Sequence, residues 1–116
     1  MHERSLARNM LNLILEKIKP FNTKKTIKTI NIVIGEFTMI QEDLLISAFY
    51  DLSKSTIAEN AKVVITHKPL IGSCLNCKKE FLLNKKEFIC PHCKSNIIQI
   101  ISGDEFFVKD IELNKN

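Results

Sequence analysis

Between Ser5 and about Lys19 the apolar residues Leu6, Met10, Leu11, Leu13, Ile14 and Ile18 recur at helical spacing. Arg8, Asn9, Asn12 and Glu16 fall on the opposite side, so the spacing predicts an amphipathic helix that stops at Pro20. Phe21 to Lys28 is a polar, basic connector. Ile30, Ile32 and Ile34 then alternate with Thr29, Asn31 and Val33, the two-residue period of a strand, and Gly35 ends it. Thr38 and Gln41 have capping-box spacing before a second helix, expected over Glu42 to Lys54, with Leu44, Leu45, Ala48, Phe49 and Leu52 as its buried stripe. Ala61 to Lys68 reads as another strand, with Val63, Ile65 and His67 on one face, and Pro69 closes it. A strand, a helix and a strand in this order predict a parallel pair joined by a right-handed crossover.

The pattern changes after Pro69. Phe81 to Leu83 and Phe88-Ile89 flank a polar turn from Asn84 to Glu87, and are expected to pack as a hairpin. Ile97 to Ile101 follows, then a break at Ser102-Gly103-Asp104 and a long β-rich run from Glu105 to Leu113. Placing that last run in the main sheet makes residues 70–102 an insertion. The expected architecture is therefore α+β: two helices on a small mixed three-stranded sheet, formed by 1–69 plus 103–116, with an inserted subdomain at 70–102.

All four cysteines lie in the insertion, as Cys74-Leu-Asn-Cys77 and, twelve residues later, Cys90-Pro-His-Cys93. Two short Cys-x-x-Cys pairs can each turn two sulfurs toward one centre, which is the spacing of a structural four-cysteine zinc knuckle. Two disulfides are the competing reading, but no secretory leader is visible, so the expected compartment is the reducing cytoplasm. A redox motif accounts for one pair and leaves the other idle. Fewer than about forty residues cannot hold a core unaided, and a metal supplies the staple. Four thiolates fill a tetrahedral ion, so no position is left open for catalysis, and no enzyme is expected.

A chain of 116 residues with 45% hydrophobic and 26% charged residues has room for one modest core, and no apolar run nears the roughly 20 residues of a membrane span. The net charge of +4 first suggests a nucleic-acid partner. Four zinc-bound thiolates lower it to about +2. Lys78, Lys79, Lys85, Lys86 and Lys94 then read as compensation for an anionic site. A nucleic-acid-binding zinc ribbon is the alternative function, but the insertion has no Arg, Tyr or Trp for phosphate forks and base stacking.

A second candidate metal site is Met1-His2-Glu3. An α-amine, the His2 amide and the His2 imidazole can chelate in one plane, and Glu3 can add a fourth donor through backbone or carboxylate. Square-planar nitrogen and oxygen donors favour Ni²⁺ or Cu²⁺. On three residues alone, the idle, exposed histidine is the stronger reading.

The whole chain resembles the HypA/HybF family of nickel metallochaperones for [NiFe]-hydrogenase maturation. The resemblance rests on Met1-His2-Glu3 with Ser5-Leu6, the strand into Ile34-Gly35-Glu36, Leu45, Ala48 and Phe49, Pro69, the two cysteine pairs, and Gly103-Asp104-Glu105 leading to Val108 and Ile111-Glu112. Gln41 departs from the proline often found before the second helix, which affects a cap and not a ligand. The resemblance implies nickel at Met1, His2 and Glu3 and structural zinc at Cys74, Cys77, Cys90 and Cys93. It also implies delivery to a HypB-type GTPase and to the hydrogenase large subunit. Nucleic acid and membrane are not expected as partners, and a homodimer is left open. Among the remaining residues, His92 is expected as an exposed knuckle residue and His67 as a partly covered packing residue. Glu36, Glu42 and Asp43 sit favourably at a helix start, and Glu105 and Glu112 are expected to be solvated.

Overall fold

A computed structural model of the chain describes residues 2–22 and 24–115. Its elements in order are helix α1 (Glu3–Ile18), strand β1 (Ile27–Gly35), helix α2 (Glu42–Leu52), and strands β2 (Lys62–Lys68), β3 (Ile71–Cys74), β4 (Glu80–Leu82), β5 (Ile98–Ser102) and β6 (Phe106–Leu113). Single 3-10 turns at Lys19–Phe21 and Glu36–Thr38 follow α1 and β1. One small mixed sheet has the order β2-β1-β6, and a second has the order β4-β3-β5. The last strand thus belongs to the main sheet. It runs antiparallel to β1, because Gly35 N–H donates to Glu105 while Asn114 N–H donates to Thr26.

The chain forms two compact units: Met1–Ile32 with Ile40–Ile65 and Val108–Asn116, and Val33–Met39 with Thr66–Phe107. In the first, α1 packs on α2. Ala7, Met10, Leu11, Ile14 and Ile18 from α1, Leu45 and Phe49 from α2, and Ile27, Ile30 and Ile32 from β1 are all buried. Removing that apolar surface from water is what holds the helices, at roughly 25 cal/mol per Å². The stripe on α2 is narrower than its periodicity suggests. Leu44 is 53% exposed, because Leu45 and Phe49, four residues apart, already fill the face toward α1.

The capping box does not form. The N-cap of α2 is Gln41, and no side chain of its own caps the helix. Thr38 lies in the preceding 3-10 turn, and its hydroxyl donates to the Gly35 carbonyl at 2.9 Å. Glu3, 38 residues upstream, takes over: its Oε2 accepts the Gln41 N–H at 3.0 Å. A carboxylate beside a helix N-terminus also meets the positive end of the helix dipole.

In the second unit, β3 is a strand that the periodicity did not announce. Four residues are too few to show a period, and two of them are Gly72 and Ser73. It pairs antiparallel with both β4 and β5. The expected turn forms, with Asn84 and Glu87 bridged antiparallel and the Glu87 N–H donating to the Asn84 carbonyl at 3.1 Å, but Phe81 lies opposite Gly72 rather than packing on Phe88. Phe88 instead stacks on Phe37, with ring centroids 5.8 Å apart at a 50° tilt. Glu105 is not a solvated strand residue either. It precedes β6, and its carboxylate accepts the Gly103 N–H at 2.7 Å and the Ser102 hydroxyl at 3.4 Å. Its own N–H and that of Gly103 hold its carboxyl below the usual carboxylate range. Gly103 has φ +112°, a conformation that strains any residue with a side chain. His67 is exposed on β2, not partly covered.

Candidate metal centre

Each cysteine pair sits on a loop closed by main chain. In the first loop Lys78 N–H donates to the Cys74 carbonyl at 2.8 Å, and Cys74 N–H donates to the Lys79 carbonyl at 3.0 Å. The second repeats both bonds: Lys94 N–H to the Cys90 carbonyl at 2.9 Å, and Cys90 N–H to the Ser95 carbonyl at 2.9 Å. Such tight reversals need a left-handed residue just after the second cysteine. Lys78 (φ 68°) and Lys94 (φ 66°) supply it. The two lysines that composition assigned to charge compensation are thus also the turn residues of the cage.

The loops bring the four sulfurs within 4.8 Å of one another. Sγ of Cys74 is 3.5 Å from that of Cys93, and Sγ of Cys77 is 3.6 Å from that of Cys90. A disulfide needs about 2.05 Å, and all four cysteines are free, so the two-disulfide reading fails. A tetrahedron with zinc–sulfur bonds of about 2.3 Å has edges of about 3.8 Å, and the spacings of 3.5 and 3.6 Å lie just below that value. Donors also point at the sulfurs. The N–H groups of Cys77 and His92 reach Cys74 and Cys90 at 3.4 Å, and Asn76 Nδ2 reaches Cys93 at 3.5 Å. These bonds favour thiolates, the form that binds metal.

The proton balance among the thiols follows from those donors. The Asn76 amide, then the Ser95 N–H, pull the Cys93 thiol down to about 6. At Cys90, burial works toward the neutral thiol, but the N–H groups of Cys93 and His92 outweigh it and the value falls. At Cys77 the Lys79 N–H pulls down, while burial and the three neighbouring thiols together push the thiol up to about 11. Crowded sulfurs cannot all ionise unaided, and a dication is the natural counter-charge. Cys74 and Cys90 are buried and the four donors are all soft, so the set fits Zn²⁺. His92 is exposed, and its imidazole is not part of the sulfur cluster.

The other predicted residues lie in the first unit. Met1 falls outside the described residues. His2 is the exposed N-cap of α1, and its carbonyl accepts the Leu6 N–H at 3.1 Å. Glu3 is only 7% exposed. The Gln41 N–H is the largest influence holding its carboxyl below the usual range. His2 and Glu3 share an open depression with Arg4, Ser5, Leu44 and Asp51, and Arg4 pairs with Asp51 at 3.1 Å. The role of Glu3 as a cap for α2 was not legible in the sequence, since nothing local links positions 3 and 41.

Two helices on a small mixed sheet, with a ribbon built on four clustered cysteines, define a small metal-binding α+β protein. The model of the family described as "Hydrogenase/urease nickel incorporation, metallochaperone, hypA" matches residues 1–113. The chain is 34% identical over 113 residues to the hydrogenase maturation factor HypA of Aquifex aeolicus, covering 97% of each. It is 35% identical over 117 residues to that of Methanocaldococcus jannaschii, covering 95% of this chain and 94% of the relative. The solution structure of the nickel metallochaperone HypA from Helicobacter pylori aligns with a TM-score of 0.69 at 26% identity over 97% of each chain. A second solution structure of a HypA protein shares the fold, with a TM-score of 0.73 at 24% identity over 98% of this chain and 97% of that one. The chain belongs to the HypA family of nickel metallochaperones for hydrogenase maturation. Its family is thus one of metal carriers, not enzymes. Among the described residues no helix is long and apolar enough to cross a membrane.

Proposed function

We propose that the protein carries Ni²⁺ as cargo on Met1, His2 and Glu3. It hands the ion to a HypB-type GTPase and onward to the large subunit of a [NiFe]-hydrogenase in the cytoplasm. Zn²⁺ held by Cys74, Cys77, Cys90 and Cys93 is the resident metal, and it supplies the fold energy that a short ribbon lacks. The observation that supports nickel at the amino end is the setting of His2. Its side chain is exposed, and it stands ahead of the first helical turn. The N–H groups of that turn have no partner inside the helix, so an amide that loses its proton to a metal breaks no helical bond.

The Glu3 carboxylate is committed to the Gln41 N–H, which favours its backbone nitrogen as the fourth donor. Amine, amides and imidazole in one plane suit a square-planar d⁸ ion. A site at the tip of a chain has few packing constraints, so ligand exchange with a partner can strip it. The nucleic-acid reading loses ground, since Phe88 is engaged by Phe37.

Titration of the zinc-loaded protein with Ni²⁺ tests the reading. One equivalent is expected to bind with square-planar absorbance, and His2→Ala or an amino-terminal extension should abolish it. Loading should weaken as pH falls through the histidine range, because imidazole and amine must be unprotonated to bind. Unchanged binding by the extended protein defeats the terminal chelate.

A further inference from the structure

A groove of about 250 Å³ runs between the C-terminal half of α1 and strand β6, lined by Leu13, Ile14, Lys17, Val108, Lys109 and Ile111. One wall is a sheet edge: among the described residues β6 has β1 on one side and no strand on the other. An edge leaves a row of backbone N–H and C=O groups open for pairing. The floor is apolar, and Leu13 is 49% exposed in it. Lys17 and Lys109 are both exposed on the lining, and among the described residues neither is in an ion pair. Asp110 also lines the groove, but its carboxylate accepts the Asn31 amide at 2.6 Å.

We propose that this groove is a docking site for an extended, acidic segment of a partner protein, added along β6 as a fourth strand of the main sheet. A helix cannot satisfy an open strand edge, whereas an extended segment pairs with it and places alternate side chains on the floor. Lys17 and Lys109 line the same groove as that floor, so they select carboxylates among the side chains that face it. A lysine on an edge also serves to repel stray strands. That role alone does not account for a half-exposed leucine and an apolar floor beside it. Leu13 and Lys17 lie roughly 16–22 Å along α1 from His2, at 1.5 Å per residue. A partner held here leaves the amino-terminal tip free.

The test uses zinc-loaded, ¹⁵N-labelled protein and two acetylated peptides of about strand length. One carries valine and glutamate by turns on one face and threonine on the other, and the second has lysine in place of each glutamate. The glutamate peptide should shift the amides of Val108 to Ile111 and of Leu13 to Lys17, and bind about tenfold more tightly than the lysine peptide, the scale of two exposed ion pairs. A Lys17→Glu, Lys109→Glu protein, altered only at exposed positions, should reverse that preference. Equal binding of both peptides, shifts confined to other residues, or no binding up to peptide solubility overturns the proposal. So does concentration-dependent broadening of the β6 amides without peptide, which assigns the edge to a second copy of the chain.

Discussion

Gly35→Ala offers a sharp test of the second unit. Gly35 has φ −81° and ψ 146°, which alanine adopts freely, so any cost is steric. A Cβ at this position falls 2.1 Å from the Gly103 carbonyl oxygen, 2.2 Å from its carbon and 2.7 Å from the Asp104 nitrogen. All three are main-chain atoms, and they cannot rotate away. Relief requires the two segments to part by about 1 Å, since carbon–oxygen contact is near 3.2–3.5 Å. That separation breaks the bonds Gly35 N–H to Glu105 and Phe37 N–H to Gly103, both 2.7 Å long. Overpacking costs about 1–3 kcal/mol. Each lost hydrogen bond adds about 1 kcal/mol, and more where a buried group stays unpaired. The sum is about 3–5 kcal/mol, a large share of a typical 5–15 kcal/mol. Gly72→Ala is the control. Its Cβ meets the Ile98 Cγ2 at 2.8 Å and the Leu83 Cδ2 at 3.4 Å, side-chain atoms that can shift, so the cost should be about 1 kcal/mol. Urea unfolding followed by far-ultraviolet circular dichroism, at fixed free zinc, measures both. A loss at Gly35 below about 1 kcal/mol, or one no larger than at Gly72, refutes the reasoning.

Leu45→Ala should cost about 2–5 kcal/mol and Leu44→Ala less than about 0.5 kcal/mol, because the first side chain is fully buried and its neighbour is half exposed; thermal unfolding of both variants gives the comparison. Glu3→Gln should lower stability at neutral pH by loosening the start of α2. The carboxyl of Glu3 lies lower in the folded protein than its ordinary value of 4.5, so its contribution is present above that value and fades as pH falls through the folded one. Unfolding midpoints of the two proteins should converge on acidification, and a gap that stays constant contradicts the assignment. Zinc removal by a chelator should abolish hydrogen-exchange protection first in Ile71–Cys74, Glu80–Leu82 and Ile98–Ser102. Uniform loss across the chain speaks against a ribbon held by its metal.

Long periodic segments were readable from the sequence. Both helices, β1, β2 and β6 appear within a few residues of their expected positions, since each spans enough residues to show its period. The cysteine cage was readable too, because two Cys-x-x-Cys pairs constrain the backbone locally. Interactions between distant positions were not. Gln41 looked like half of a capping box, but the N–H that needed a partner found it at Glu3. Phe88 looked like the mate of Phe81, yet a partner at Phe37 lies outside any local window. Glu105 looked solvated because a carboxylate next to Gly103 and Ser102 gives no sign that it folds back on them. At the amino end, the sequence suggested donors for a second metal but not that the Glu3 carboxylate was already engaged.

The two sulfur-bearing loops are near copies of each other, and each is shut by peptide groups alone. Leu75 and His92 are exposed and contribute only main-chain N–H groups, Leu75 to the Ile97 carbonyl and His92 to the Cys90 sulfur. Mutational drift can therefore repaint that outer surface, one residue at a time, while the geometry beneath it stays untouched.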